Sequence, residues 1–385
     1  MIKNIHNLNN YDYELDKKYI SSYPVDKRAE SKLLVYNNKK IIDSSFKLIS
    51  NYLPKNSTLF FNDSKVINGR LLFENKNGAK IEILITDEKI SSLLKSKSPL
   101  LLKGLIGNKK KWKGDERLEK KINGITIKIQ KIKDKVSFEW DKDLSFDDIL
   151  VKSGIIPLPP YIKRDTESSD YYNYQTVYSK NKGSIAAPTA GLHFNNDLIY
   201  DLKKNHKVDF FTLHVGLGTF KPIDSENIEN HNMHSEEVII NKENILNIYN
   251  SENITAVGTT SLRVLESIYY LGLIIEKKKY NYEISQEIQK KKFKLNLKES
   301  CKKIIDHFNF NKTNELRFNS KIFIYPGYSF KVCDQLITNF HYPKSSLILL
   351  IASFIGKDWR EVYRFAKAKN YRFLSYGDSS LLFRK

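Results

Sequence analysis

The sequence predicts an α/β main domain carrying a smaller inserted all-β, barrel-like domain. From about residue 149 onward, short apolar strands alternate with helical patterns, the texture of an α/β fold. Between about 71 and 148 the pattern turns to period-two alternation, as in Ala79-Lys-Ile-Glu-Ile-Leu-Ile-Thr86. At 385 residues the chain is long enough for about two domains. Residues 1–70 and 149–385 are therefore assigned to one discontinuous domain and 71–148 to the insert.

The elements follow in order. Tyr11-Asp-Tyr-Glu-Leu15 precedes a short polar helix, and Thr58-Leu-Phe-Phe-Asn-Asp63 reads as a buried strand ending in turn formers. In the insert, Asn77-Gly78 is a hairpin turn, and Ile122-Asn-Gly-Ile-Thr-Ile-Lys-Ile-Gln130 reads as a second alternating strand. Lys103 to Lys135 sets 12 Lys or Arg against 4 Asp or Glu, so this β-rich segment is strongly basic. Further on, Ile254-Thr-Ala-Val257 is a short strand and Gly258-Thr-Thr-Ser261 a tight turn. Leu262 to Leu271 is a helix closed by Gly272. Ser345 caps an apolar helix running to Ile355, and Asp358 starts an amphipathic one ending near Asn370. The segment 276–320 is lysine-rich without a turn-bounded strand pattern, so it reads as an elaboration outside the core.

Apolar residues at 41% and aromatics at 12% describe a folded chain rather than a disordered one. Two cysteines, Cys301 and Cys333, build no disulfide framework and fit a reducing compartment. The opening Met1-Ile-Lys-Asn-Ile-His6 shows no signal-peptide apolar region, and Leu347 to Ile355 is too short to span a bilayer. A cytoplasmic protein without a membrane partner is expected. The net charge of +20 favours a polyanionic partner, because Lys and Arg displace counterions from phosphates. Its competing source is an AT-rich coding sequence, which enriches Lys, Asn, Ile and Tyr together.

Four segments combine Gly or Pro with residues that handle protons and anions. The first is Pro157-Leu-Pro-Pro-Tyr-Ile-Lys-Arg164, leading through Asp170, Tyr174, Gln175 and Thr176 to Ala187-Pro-Thr-Ala-Gly-Leu-His-Phe194. Arg164 is a candidate anion ligand, and Thr189, Gly191 and His193 sit in a stiff turn where apolar neighbours tune the imidazole. The plainer reading of His193 is a buried histidine bonded to a carbonyl. The second is Phe211-Thr-Leu-His-Val-Gly-Leu-Gly-Thr-Phe220, where a strand delivers His214 to Gly216 and Gly218. It lacks the third glycine and helix of a dinucleotide fingerprint, which excludes a nicotinamide-binding reading.

The third is Asn232-Met-His-Ser-Glu236. An extended segment puts His234 and Glu236 on one face, as an acid/base pair or as a solvated one. No third ligand accompanies them, so no metal is expected. The fourth is Val257-Gly-Thr-Thr-Ser-Leu-Arg263. Gly258, Thr259 and Thr260 open a helix whose N–H groups suit an anion, with Arg263 inside it; plain N-capping is the alternative.

With these blocks, and with Phe61-Asn-Asp-Ser-Lys-Val-Ile-Asn-Gly-Arg-Leu71, Ile337-Thr-Asn-Phe-His-Tyr-Pro343 and Tyr371-Arg-Phe-Leu-Ser-Tyr-Gly-Asp378, the chain resembles a known family from end to end. That family is the S-adenosylmethionine:tRNA ribosyltransferase-isomerases of queuosine biosynthesis. The resemblance implies an α/β catalytic domain with an inserted β-barrel. It implies transfer and isomerisation of the ribosyl moiety of S-adenosylmethionine onto 7-aminomethyl-7-deazaguanine at the tRNA wobble position. Epoxyqueuosine tRNA, adenine and methionine result, so S-adenosylmethionine is a consumed substrate and no cofactor is expected.

Set against that chemistry, His193 or His214 is expected as base, with Glu236 or Asp378 orienting or sharing protons. Arg164 and Arg263 are expected on the methionine carboxylate or a tRNA phosphate, and Asn339 and His341 on a base or ribose. Tyr174, Gln175, Gly216, Gly218 and His234 complete the expected substrate contacts, and the protein is expected to act as a monomer. A methyltransferase would show a Gly-rich loop after an early strand or a knotted C-terminal motif, and neither is present. A non-catalytic RNA-binding module would explain the charge but not these turns.

Overall fold

The computed structural model describes residues 4–216, 218, 222–277, 282–291 and 293–385. Its centre is a ten-stranded mixed sheet. The strands Lys207–Leu213, Thr58–Asn62, Ile254–Val257 and Gln335–Asn339 lie side by side and parallel. Ser379–Phe383 runs antiparallel to the last of these, and Lys32–Asn37 and Lys40–Ser45 extend that side. Glu236–Asn241, Glu315–Ser320 and Glu283–Ile284 extend the other.

Period-two alternation divides this sheet between two cores. Leu34, Phe60, Ala256, Leu336 and Leu382 face one side, where Leu262, Leu265, Ile268, Ile348, Ile351 and Trp359 supply the helical layer. Leu33, Leu59, Phe61, Val257, Ile337 and Leu381 face the other, against Phe46, Phe194, Leu198 and Leu202. Adjacent residues of one strand thus serve opposite cores, and a one-residue register slip would exchange them.

Residues from Arg70 to Ile155 form a second, seven-stranded antiparallel sheet with its own core. It curls until Arg70–Glu74 comes against Leu118–Ile122. No ladder joins its two end strands, so it is a curled sheet rather than a closed barrel. The helix Phe146–Ser153, held by a Ser145–Asp148 capping box, packs into its core through Phe146, Ile149 and Leu150.

Three sequence expectations need correction. Ile122 to Gln130 is two strands, Leu118–Ile122 and Ile125–Ile132, joined at Asn123-Gly124, where both residues take positive φ as a type I′ turn requires. The helix opening at Thr259 runs on to Glu276, through Gly272. A Cβ on Gly272 would run into Ser300 of the helix Leu297–Asn311, so this glycine permits helix–helix contact rather than ending a helix.

The segment 276–320, of which 278–281 and 292 lie outside the described residues, belongs largely to the core. Cys301, Ile304 and Phe308 are buried in it, and Glu315–Ser320 is a strand of the main sheet. Charges on the exposed face of that strand concealed its alternation. Among the described residues no helix is long and apolar enough to cross a membrane.

Candidate active site

The carboxyl ends of parallel strands are where an open α/β sheet presents a crevice. Here the ends of three of these strands converge on a cavity of about 410 Å³. Leu213 leads to Val215, Val257 leads to Gly258, Thr259 and Thr260, and the end of Gln335–Asn339 supplies Thr338 and Asn339, then His341. Ala186 to Ala190, Pro160 with Tyr161 and Lys163, and Leu374 with Ser375 complete much of the wall. Six segments scattered from residue 160 to residue 375 thus meet around one space.

The wall is mostly small, apolar or hydroxyl-bearing. Gly258 adopts φ +92° and ψ 152°, a backbone state that disfavours other residues, and this turn aims the helix Thr259–Glu276 at the cavity. His341 is the one imidazole on the wall among the described residues. Its Nε2 lies 2.9 Å from Thr338 Oγ1, and burial pushes its pKa down to about 3. Tyr161 pairs with the Ser375 hydroxyl, and burial raises its phenol.

Most of the charged residues singled out in the sequence stand behind this wall. His193 is buried, with Nδ1 2.8 Å from Ser31 Oγ and Nε2 3.2 Å from Asn339 Oδ1. Both ring nitrogens are occupied, and burial pushes its pKa down to about 4. Asn339 in turn donates to the carbonyls of Leu374 and Ser375, so His193 acts on the cavity by orienting an amide. His214 lies off the wall, 4.0 Å from Glu237, whose carboxylate also accepts from the Ser91 hydroxyl on the short helix Ile90–Leu93. Burial pushes its pKa down to about 4.

Glu236 is fully buried between Arg263, which donates to one of its oxygens, and His234, whose Nε2 is 3.1 Å from the other. Burial alone would raise its pKa. The Arg263 guanidinium, with the hydrogen bond to His234, prevails and lowers it to about 2. A Cβ on Gly218 would collide with the His234 ring, and Gly216 lies just beyond, so these two glycines seat His234 rather than border the cavity.

Asp378 accepts the backbone N–H groups of Lys32 at 3.0 Å and Arg372 at 2.8 Å. Arg164 forks onto Asp170 at 2.6 and 2.7 Å and stacks on Tyr23, which leaves it committed away from the cavity. Gln175 bonds both backbone groups of Val66, Tyr174 packs edge-on against Tyr376, and Gly191 makes room for Tyr178. Among the described residues no group of three His, Cys, Asp or Glu side chains is placed to hold a metal.

The model of the queuosine biosynthesis protein family matches residues 8–382. The chain is 36% identical over 376 residues to the S-adenosylmethionine:tRNA ribosyltransferase-isomerase of Aliarcobacter butzleri, covering 97% of each. With the protein of the same name from Buchnera aphidicola it shares 38% over 384 residues, 97% of this chain and 95% of that one. The chain belongs to the queuosine biosynthesis protein family. A solved S-adenosylmethionine tRNA ribosyltransferase from Thermotoga maritima is 26% identical, with 97% of this chain and 99% of that one covered and a TM-score of 0.47.

Of the residues singled out in the sequence, Thr189, Gly258, Thr259, Thr260, Asn339 and His341 line the cavity. Tyr161, Lys163, Thr338, Tyr342 and Ser375 line it as well, and sequence reasoning gave none of them a role. Tyr161 and Lys163 had a legible signal, since they sit inside the Pro157 to Arg164 loop beside the arginine that drew attention.

Proposed function

We propose that this chain transfers and isomerises the ribosyl moiety of S-adenosylmethionine onto 7-aminomethyl-7-deazaguanine at the tRNA wobble position, releasing adenine and methionine. The observation that carries this reading is the meeting of the Pro160, Ala186, Gly258, Thr338 and Leu374 segments around one cavity, in a chain that matches its family from residue 8 to residue 382. At about 410 Å³ and largely apolar, that cavity suits a small-molecule substrate. S-adenosylmethionine is consumed there as a substrate, and the tRNA brings the acceptor amine to the cavity mouth beside the exposed Lys163.

The sulfonium acidifies the ribose C5′ protons, so the reaction needs a base beside that carbon. His341 is our choice in place of His193 or His214, because its ring belongs to the cavity wall while theirs stand behind it. His193 and Asn339 are positioning residues for the Leu374 and Ser375 segment, whose carbonyls accept from the Asn339 amide. Glu236, Arg263 and His234 hold the segment that precedes the Glu236–Asn241 strand. The decisive assay is product analysis with tRNA carrying the precursor base. Adenine and methionine are expected; S-adenosylhomocysteine would mean methylation, and no product would mean binding alone.

A further inference from the structure

The polar groups of the cavity are unevenly distributed. Its lining residues include no Asp or Glu, but they include Lys163 and the first residues of the helix Thr259–Glu276. An 18-residue helix carries a partial positive charge at its amino end, where the first N–H groups find no acceptor within the helix. A Ser, Thr, Asp or Asn before the helix would ordinarily accept from them. This chain places Gly258 there, and no side chain caps the helix. The Gly258 N–H itself is taken by the Ile337 carbonyl at 2.8 Å, which fixes the turn and leaves the following N–H groups directed at the cavity.

A second observation points to a ligand. Thr260 belongs to the cavity wall and is only 8% exposed, and its buried Oγ1 has no hydrogen-bond partner. It stands on the same side as the Ala190 methyl, each within about 3.6 Å of the position a Cβ on Gly258 would take. A buried hydroxyl left unpaired is costly, so a hydroxyl held there is suited to an incoming acceptor. The surroundings are Ala186, Ala187, Ala190, Val215 and Leu374, which favour an anion borne on an apolar stem.

We propose that the amino end of the Thr259 helix, with the Thr260 hydroxyl, is the carboxylate subsite for the amino-acid end of S-adenosylmethionine. This rests on the reaction assigned above. It also orients the substrate. Three carbons separate that carboxylate from the sulfonium, a reach comparable to the strand spacing of about 5 Å. The Gln335–Asn339 strand lies next to Ile254–Val257, so the sulfonium and ribose fall toward Thr338 and His341.

The test compares S-adenosylmethionine with its decarboxylated analogue, titrated into the wild-type protein, Thr260→Val and Thr260→Ser. The wild type should bind the carboxylated ligand about ten- to a hundredfold more tightly, the range for a hydrogen-bonded charge. Thr260→Val should lose most of that preference with little change for the analogue, and Thr260→Ser should keep it. Equal affinity of the two ligands for the wild type overturns the subsite, and that comparison stands even if the valine variant fails to fold. A Thr260→Val protein that weakens for tRNA but not for S-adenosylmethionine also overturns it, by placing a phosphate at the helix. A wild type that discriminates the ligands yet releases no adenine with precursor tRNA supports the subsite and breaks the reaction assignment instead.

Discussion

At the strand ends, the surface facing the cavity and the layer directly behind it are built from different chemistry. The surface presents Ala187, Thr189, Thr259, Thr260 and backbone, with His341 as its imidazole. The layer behind holds His193 against Ser31 and Asn339, Glu236 between Arg263 and His234, and Asp378 across two backbone N–H groups. Side chains that look catalytic in isolation therefore serve mainly to fix the wall. Ionised groups kept away from solvent stay rigid only when every partner is in place, which suits them to scaffolding.

The largest effect expected of this division is on stability. Glu236→Gln leaves Arg263 buried without its counter-charge, which should cost on the order of 3–5 kcal/mol in denaturant unfolding. His234→Ala should cost less, because Arg263 still satisfies the carboxylate. Loss of adenine release by Glu236→Gln with unchanged stability would move Glu236 from the scaffold into the chemistry.

The second comparison sets two histidines against each other. His341→Asn should slow single-turnover transfer by about 100-fold or more, the scale of lost general-base catalysis, and leave the fold intact. His193→Ala should show the reverse. Ser31 and Asn339 lose a shared partner, so stability falls by about 2 kcal/mol, while the folded protein turns over within about tenfold of wild type. Equal rates for His341→Asn and wild type would remove this histidine from the scheme.

How much of this was readable in the sequence differs between fold and site. The main sheet was legible at Thr58 to Asp63 and Ile254 to Val257, where Leu59 and Phe60, or Val257 and Ala256, are apolar because each neighbour faces a different core. Gly272 misled, since a glycine that ends a helix and one that admits a crossing helix look alike until Ser300 is placed in space. At the site, several of the motifs line one cavity, but local pattern left the orientation of each side chain open. Nothing in Leu-His-Phe states that His193 points at Ser31. Nothing in Ser-Leu-Arg states that Arg263 points at Glu236 rather than at the cavity. Orientation depends on partners distant in sequence, which local pattern does not encode.

The smallest effect expected is on the pH dependence of stability, and it bears on the layer behind the wall. Burial holds His193 and His214 near about 4 and His341 near about 3, all below the ordinary value of 6.5. The unfolded chain therefore takes up protons below about pH 6.5 while the folded chain does not, so stability falls on acidification through that window. Each histidine should contribute a slope of about 1 kcal/mol per pH unit between 6.5 and 4. Glu236 acts lower, because its stabilising contribution is fully present above about 4.5 and is lost progressively as pH falls from there to about 2. Urea unfolding at pH 7, 6 and 5 should therefore show a steady loss of stability, made shallower by about one histidine's slope in His193→Ala. An unchanged slope in that variant would mean that His193 is already accessible to protons in the folded protein, contrary to its place between Ser31 and Asn339.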